Sequence, residues 1–262
     1  EGAVLVNGRG EHFMDEVHER GSLAPRDIVS RAIHQEMVAS GESCVYLDLS
    51  AMEPEFIQQR FPSIYRRCKK HGVDITHELI PVVPAAHYSC GGVHTDLNGR
   101  TNVMHLNAIG ETACTGLHGA NRLASTSLLE CLTSAMATAR EDITDIKTMG
   151  FRLPDPHPWS SPSHEADPTL IQQDLSQVKQ TMWNYAGIVR SERRLIRARR
   201  ILLELREEIQ TFYRDCRLTR ELIELRNAAQ TALLVVHAAT LNPQSKGCHF
   251  VAGDEEMVSQ RE

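Results

Sequence analysis

Three cationic or proton-bearing side chains stand where they could bind an anion, and Arg26 is the first of them. It falls in the first turn of a helix predicted to start at Pro25, beside the apolar positions Val29 and Ile33. An Arg beside an apolar stripe usually extends to water, but held inward it presents a charged fork suited to a carboxylate. The sequence leaves both interpretations of Arg26 open.

The other two side chains, His87 and Arg122, adjoin segments rich in glycine. His87 precedes Gly91-Gly92, and glycines allow another group to approach the backbone closely. Arg122 stands two residues into a helix predicted over about 120–140, and helix starts attract anions. Two arginines and a histidine in one pocket would bind a dicarboxylate, because each carboxylate needs charge and directed donors to replace its water. Spacing alone does not establish that they meet, and a single His is more often a core or surface residue.

Several common catalytic and nucleotide-binding motifs are missing from the 262 residues. There is no Gly-x-Gly-x-x-Gly, Walker sequence, Gly-x-Ser-x-Gly elbow or His-Glu-x-x-His. The seven cysteines are scattered, without a Cys-x-x-Cys pair. This pattern argues against a disulfide framework or a zinc site and favours a reducing compartment.

Composition and charge narrow the class of protein. Hydrophobic residues make up 41% and charged residues 24%, as in ordinary globular chains. Residues 169–250 hold thirteen Lys and Arg against eight Asp and Glu, whereas residues 1–168 hold fourteen against twenty-two, which favours two structural units. The basic part has no interleaved aromatic residues, so nucleic acid is a poor candidate partner. The longest apolar stretch, residues 232–241, is too short for a bilayer, which needs about 20 residues.

The pattern of apolar residues predicts a mixed chain with a helical end. Residues 25–40 read as a helix, and residues 45–49 and 103–109 read as strands. From 169 to about 241, apolar residues recur at spacings of three and four, which predicts a three-helix bundle. Five prolines within residues 151–168 predict a linker.

Three motifs carry a family resemblance. Leu23-Ala24-Pro25-Arg26-Asp27-Ile28, Pro84-Ala85-Ala86-His87-Tyr88-Ser89-Cys90-Gly91-Gly92 and Gly116-Leu117-His118-Gly119-Ala120-Asn121-Arg122-Leu123-Ala124-Ser125 closely resemble the flavoprotein family of succinate dehydrogenase and fumarate reductase. The resemblance runs from residue 1 to about Phe250. Within that family, the Cys after His-Tyr-Ser and the Leu-Ala-Ser after Arg122 are similar to the branch that oxidises L-aspartate.

The resemblance implies an α+β fold made of parts of known domains. The chain would be the C-terminal half of the enzyme, and the missing first half would hold the glycine-rich cradle for the FAD phosphates. The expected parts are the end of a capping domain (1–88), the returning part of an FAD-binding domain (89–142), a linker (143–168), a helical bundle domain (169–250) and a tail (251–262).

The resemblance also assigns roles around the substrate. Arg26 is expected to handle the proton at the reacting carbon, although free Arg is a very poor base. His87 and Arg122 are expected to bind the substrate carboxylates, with Ser125 beside them.

Flavin contacts follow from the same resemblance. Glu111 is expected to bind the ribityl chain of FAD, and Ser127 and Leu128 to offer backbone N–H groups to the flavin pyrimidine ring. Asn107 stands where the family usually has Tyr, and Thr126 where it usually has Asn, so contacts at these two positions are expected to differ.

The implied reaction is the FAD-dependent oxidation of L-aspartate to iminoaspartate, with oxygen or fumarate as electron acceptor. It would be the first step toward quinolinate and NAD, with quinolinate synthase as a candidate partner and no metal. The proline-rich insertion suggests a plant-like source, hence the chloroplast, and otherwise the cytoplasm. Two alternatives stay open: another flavoprotein of the succinate dehydrogenase and fumarate reductase type, or a non-catalytic fragment with a helical interaction module.

Overall fold

The computed structural model describes residues 1–149, 155–156 and 162–253. The middle of the expected linker and residues 254–262 of the expected tail lie outside these residues. The described chain divides into two compact units, residues 1–85 together with Gly253 and residues 86–252.

The first unit contains an antiparallel sheet of three short strands in the order β1 (Val4–Val6), β2 (Val45–Asp48) and β3 (Ile80–Val82). Pro81 in β3 stands opposite Tyr46 in the central strand. A proline has no N–H to donate to a ladder, and the edge position of β3 accommodates it. The strand predicted over residues 45–49 is confirmed as β2, which is one residue shorter.

Helices pack around this sheet within the first unit. Their bounds are α1 (Met14–Val17), α2 (Arg26–Ser40), α3 (Pro54–Arg60) and α4 (Pro62–Lys70), with one 3-10 turn at Gly21–Leu23.

Helix α2 follows from its local sequence. Pro25 occupies the N-cap position, and Gly41 ends the helix in the left-handed conformation at φ +74°. Its apolar positions Val29 and Ile33 are buried in a cluster that includes Met14. The predicted helix is confirmed, with Pro25 one position before the first helical residue.

The second unit begins with two short strands and a long helix. Strand β4 (Val93–His94) runs parallel to β5 (Ala113–Cys114), which follows a 3-10 turn at Gly110–Thr112. Helix α5 (Ser127–Met149) packs against this turn. The turn holds Glu111 and the start of α5 holds Ser127 and Leu128, whereas His87, Arg122 and Ser125 lie in the loops of this unit.

The helix predicted over 120–140 is wrong at both ends. It begins at Ser127 because Ser125 adopts a left-handed backbone, φ +64°, which a helix cannot contain. Arg122 therefore lies in the loop before α5 and not inside a helix. The helix then continues to Met149.

The strand predicted over residues 103–109 is also wrong. The segment is a loop in which an isolated bridge pairs Arg100 with Asn107, and the N–H of Thr101 donates to the carbonyl of Leu106 at 3.3 Å. His105 has φ +63°, which breaks the extended backbone that a strand needs.

Three long helices complete the second unit: α6 (Pro168–Ala186), α7 (Glu192–Asp215) and α8 (Arg220–Leu241). Each starts with a side-chain cap, and each pair of these helices is in contact. Their shared core includes Val178, Leu195, Ala198, Leu202, Leu205, Ile209, Leu222, Leu225, Ala229 and Val236. Within the described ranges, no helix has the length and apolar content needed to cross a membrane.

Candidate functional site

A buried carboxylate, Glu130, organises the start of α5. Its side chain is 6% exposed and accepts hydrogen bonds from Tyr88 Oη at 2.8 Å and Thr115 Oγ1 at 3.1 Å. His118 Nε2 lies 2.7 Å from the same carboxylate. Because an ionised carboxylate only accepts, this ring nitrogen carries the proton and donates it. Three donors from two loops thus converge on one helical side chain.

The hydrogen bonds decide the protonation of this group. Burial alone would raise the pKa of Glu130, but the donors Tyr88, His118 and Thr115 outweigh it and hold the pKa below its ordinary value. Burial, and then the hydrogen bond to the Glu130 carboxylate, raise the pKa of Tyr88 to about 12. At neutral pH the pair is therefore an ionised carboxylate and a neutral phenol.

Arg122 stacks on the ring of Tyr88. Its guanidinium carbon lies 4.7 Å from the centroid of the Tyr88 ring, and the ring meets His118 edge to face at 5.2 Å. Arg122 Nη1 donates to the carbonyl of Leu123 at 2.9 Å. Its Nε is buried and makes no hydrogen bond within the described residues. The guanidinium is thus fixed on one face and still holds an unpaired donor.

His87 and Ser125 lie next to this stack in the chain. His87 directly precedes Tyr88 and is exposed, and Ser125 is exposed in the turn that leads into α5. The structure therefore brings the segments of His87 and Arg122 together through the ring of Tyr88.

Glu111 lies on the 3-10 turn that packs against α5. Its Oε1 accepts from the backbone N–H of Ser89 at 2.9 Å. Gly110, just before it, has φ +67°, and a Cβ there would lie 2.9 Å from Cys131 Sγ on α5. Only glycine lets this turn approach the helix so closely, so Gly110 sets the position of Glu111.

Ser127 and Leu128 are the first two residues of α5. The first backbone N–H groups of a helix have no partner within the helix, and they carry the positive end of its dipole. Leu128 is 81% exposed beside them. The N-terminal end of α5 thus combines free backbone N–H donors with the exposed apolar side chain of Leu128.

Arg26 belongs to the first unit and is exposed. Its Nη2 donates to the carbonyls of Ser22 at 2.8 Å and Ala24 at 2.9 Å. The guanidinium is therefore held over the turn that precedes α2. Its meeting with His87 and Arg122 stays a prediction.

Sequence reasoning missed Glu130, Tyr88, His118 and Thr115. The available signal was an acidic residue in the first turns of a helix, directly after Leu128-Leu129, where an apolar residue would continue the pattern.

Asn107 and Thr126, the two residues that depart from the family pattern, both make hydrogen bonds within this unit. Asn107 Nδ2 donates to the Asp142 carboxylate at 2.7 Å, and Thr126 Oγ1 donates to the carbonyl of Leu123 at 2.7 Å.

A shallow pocket opens beside this network. Its lining includes Ser89, Gly91, Cys114, Gly116, His118 and Glu130. In the part of the chain that the structure describes, no group of His, Cys, Asp or Glu could hold a metal ion.

Comparison with known proteins finds similar sequences over nearly the whole chain. Residues 1–128 match the family described as "FAD binding domain", and residues 175–256 match "Fumarate reductase flavoprotein C-term". L-aspartate oxidase 1 of Ralstonia nicotianae is 48% identical over 95% of this chain and 47% of its own length. The chloroplastic L-aspartate oxidase of Arabidopsis thaliana is 39% identical over 96% of this chain and 41% of its own length.

A solved structure of quinol–fumarate reductase with menaquinol molecules has a TM-score of 0.82 at 25% identity, covering 97% of this chain and 50% of that chain. The chain spans about half the length of the curated relatives it matches. Of the two oxidases, the bacterial one is more similar than the plant one, so the comparisons do not favour the plant-like source suggested by the prolines. Two matched segments, the curated relatives and the shared architecture together establish that the chain belongs to the succinate dehydrogenase and fumarate reductase flavoprotein family.

Proposed function

We propose that this chain supplies the substrate-binding part of an FAD-dependent L-aspartate oxidase, which converts L-aspartate to iminoaspartate on the route to quinolinate and NAD. The proposal is supported by curated relatives of that name at 39–48% identity. Oxygen or fumarate would take up the electrons.

The stack of Arg122 on Tyr88 is the structural observation that carries the proposal. A planar guanidinium held on an aromatic face is oriented to pair with a carboxylate through two parallel hydrogen bonds. The buried Nε of Arg122 lacks a hydrogen-bond partner within the described residues, and an unsatisfied buried donor costs free energy. A substrate carboxylate would supply the missing acceptor.

His87, Ser125 and Arg26 complete the proposed substrate contacts. His87 and Ser125 would bind beside Arg122, since both are exposed next to the stack. Arg26 would receive the proton that the substrate amino group loses as the Cα hydrogen leaves as a hydride, or would stabilise negative charge on the dicarboxylate without giving up its own proton.

The residues at the start of α5 fit FAD. The flavin ring needs hydrogen-bond donors at its pyrimidine edge and apolar contact on its face, and Ser127 and Leu128 offer both. The Glu111 carboxylate can accept from ribityl hydroxyl groups. FAD, when bound, would supply the hydride acceptor, and Arg122, His87 and Arg26 would orient the substrate Cα for that transfer.

The domain roles follow the family. Residues 1–88 would finish the capping domain, residues 89–142 would belong to the FAD domain, and α6, α7 and α8 would form the helical domain of residues 169–250, a three-helix bundle. Residues 143–168 would link the last two, and residues 251–262 would form a tail.

An assay of the full-length protein, meaning a chain of the relatives' length that contains these residues, tests the proposed function. Incubated with L-aspartate, it should release ammonia and consume oxygen or fumarate in equal amounts. Succinate yields no amine product and should inhibit. Oxidation of succinate without turnover of L-aspartate would overturn the proposal.

A second candidate function is that of a succinate dehydrogenase or fumarate reductase flavoprotein. The likeness to quinol–fumarate reductase favours it, because nearly all of this chain superposes on that structure. The same assay separates the two, since only an amino acid substrate releases ammonia.

Partner and location complete the proposal. Quinolinate synthase is the proposed partner because it would consume the unstable imine product. The location would be the chloroplast in a plant and the cytoplasm otherwise. Copurification of the two full-length proteins would test the partnership, and separate elution at micromolar concentration would refute a stable complex.

A further inference from the structure

We propose that Glu130 is the positioning residue for the two proposed substrate-binding side chains of this unit, Arg122 and His87, and that it acts through Tyr88. The inference rests on the proposed function of Arg122 and His87. Glu130 lies on α5, whereas the side chains that it holds come from two loops.

The first step is the fixing of the Tyr88 ring. The hydroxyl of Tyr88 is anchored at 2.8 Å to a carboxylate that is buried and held by a 23-residue helix. His118, bound to the same carboxylate, packs edge to face against the ring at 5.2 Å. The hydrogen bond fixes the end of the ring, and the edge contact fixes its tilt.

The second step passes from the ring to Arg122. The guanidinium lies on the ring face at 4.7 Å, and the turn that carries Arg122 has no regular secondary structure of its own. The orientation of its donors therefore depends on the plane of Tyr88. A ring that is free to rotate would leave Arg122 with several orientations, and each immobilised rotamer would then cost free energy on binding.

The third step concerns His87. It is exposed and lies outside any helix or strand, but Tyr88 follows it directly, and the next N–H, that of Ser89, donates to Glu111 at 2.9 Å. The anchored Tyr88 ring and the Ser89 hydrogen bond thus hold the backbone on the C-terminal side of His87. One buried carboxylate supports both proposed substrate contacts without touching the substrate itself.

The test compares Glu130→Gln, Tyr88→Phe and the double variant in the full-length flavoprotein, with Glu141→Gln as the matched control. Glu141 lies on the same helix and accepts from Asn98, away from Tyr88. The measurements are the KM for L-aspartate, kcat, and the Kd of succinate read from the flavin absorbance. Succinate binding gives a readout that needs no turnover.

We expect Glu130→Gln and Tyr88→Phe each to raise the KM and the succinate Kd by roughly tenfold, the scale of one hydrogen bond to a charged group. The change in kcat should be smaller than that in KM, because substrate placement is affected and not the chemistry. The double variant should be no worse than the worse single one, since both act through one contact. Glu141→Gln should leave the KM and Kd unchanged.

Unchanged KM and Kd in folded Glu130→Gln, or additive effects in the double variant, would overturn the inference. If Glu130→Gln does not fold, Tyr88→Phe removes only the hydroxyl and decides alone: an unchanged succinate Kd refutes the role. If the unmodified protein binds succinate but does not oxidise L-aspartate, the proposed function fails and the Kd values still decide the role of Glu130. If it binds no dicarboxylate, both fail.

Discussion

The guanidinium carbon of Arg122 lies 4.7 Å from the centroid of the Tyr88 ring, although 34 positions separate the two residues. Tyr88 in turn is hydrogen-bonded to Glu130, 42 positions further along. The contact converts two glycine-rich loops into one rigid group next to His87. It is the feature on which the proposed substrate site depends.

Replacement of Arg122 by Lys tests the importance of the planar fork. Lys keeps the charge but neither stacks on Tyr88 in the same way nor pairs with a carboxylate through two hydrogen bonds. We expect Arg122→Lys to lower kcat/KM for L-aspartate about a hundredfold, the cost of losing a charged bidentate contact.

Arg226→Lys is the matched control for this substitution. Arg226 stacks on Tyr213 at 4.5 Å and also has a buried Nε with no partner in the described residues, but it belongs to helix α8. Its replacement should affect unfolding and leave KM unaltered. Equal losses of kcat/KM in both variants would contradict the assignment of Arg122 to the substrate.

Removal of Arg26 tests its role in proton transfer. We expect Arg26→Leu in the full-length protein to lower kcat at least about a hundredfold, the lower limit for loss of a general acid or base. Arg66→Leu is the control, because Arg66 also donates to a backbone carbonyl, that of Pro62, in the same unit. Near-normal turnover of Arg26→Leu would remove Arg26 from the mechanism.

The buried carboxylate Asp174 in α6 makes stability depend on pH. Its Oδ2 is buried without a hydrogen bond in the described part of the chain. Burial, and then the charge of Glu208, raise the pKa of Asp174 above 3.8. A raised folded-state pKa means that stability is lost as pH rises from 3.8 through the folded-state value, because the folded chain resists ionisation.

We therefore expect Asp174→Asn to increase the free energy of unfolding at neutral pH, with the gain disappearing below pH 3.8. Glu208→Gln should give a smaller gain of the same sign, since it removes only the second cause. Denaturant titrations across pH measure both. A loss of stability in Asp174→Asn at neutral pH would contradict this account.

The core shared by α6, α7 and α8 can be tested at Leu202. Leu202 is 0% exposed, whereas Ile196 on the same helix is 57% exposed. We expect Leu202→Ala to lower the free energy of unfolding by about 3 kcal/mol because it leaves a cavity. Ile196→Ala should change it by no more than about 0.5 kcal/mol. Similar losses at both positions, measured by urea unfolding of the helical signal, would show that these helices are not packed around Leu202.

Flavin binding by the 262-residue chain alone is a further measurable property. Its sequence has no Gly-x-Gly-x-x-Gly motif for the pyrophosphate, although Glu111 and the start of α5 suit the ribityl chain and the ring. We therefore expect purified chain mixed with FAD to retain little or no yellow colour after gel filtration. A stoichiometric yellow protein would contradict the expectation.

Local patterns were sufficient for the elements with strong periodicity or clear ends. The helix that ends at Gly41 and the helical region from 169 to 241 were predictable because caps, glycine and apolar spacing act within a few residues. The start of α5 was not, because a residue other than glycine rarely adopts the left-handed backbone that Ser125 has, and the local sequence carries no signal for it.

The sequence by itself determined the family, through motifs around Arg26, His87 and Arg122, and it determined the amphipathic helices. Only the tertiary structure decided that Glu130 is the centre of the network and that Tyr88 carries Arg122 on its face. The physical reason is one of range. Helix periodicity is written in neighbouring residues, whereas a buried carboxylate acquires its donors, and with them its lowered pKa, from loops that only the folded chain brings within 3.1 Å of it.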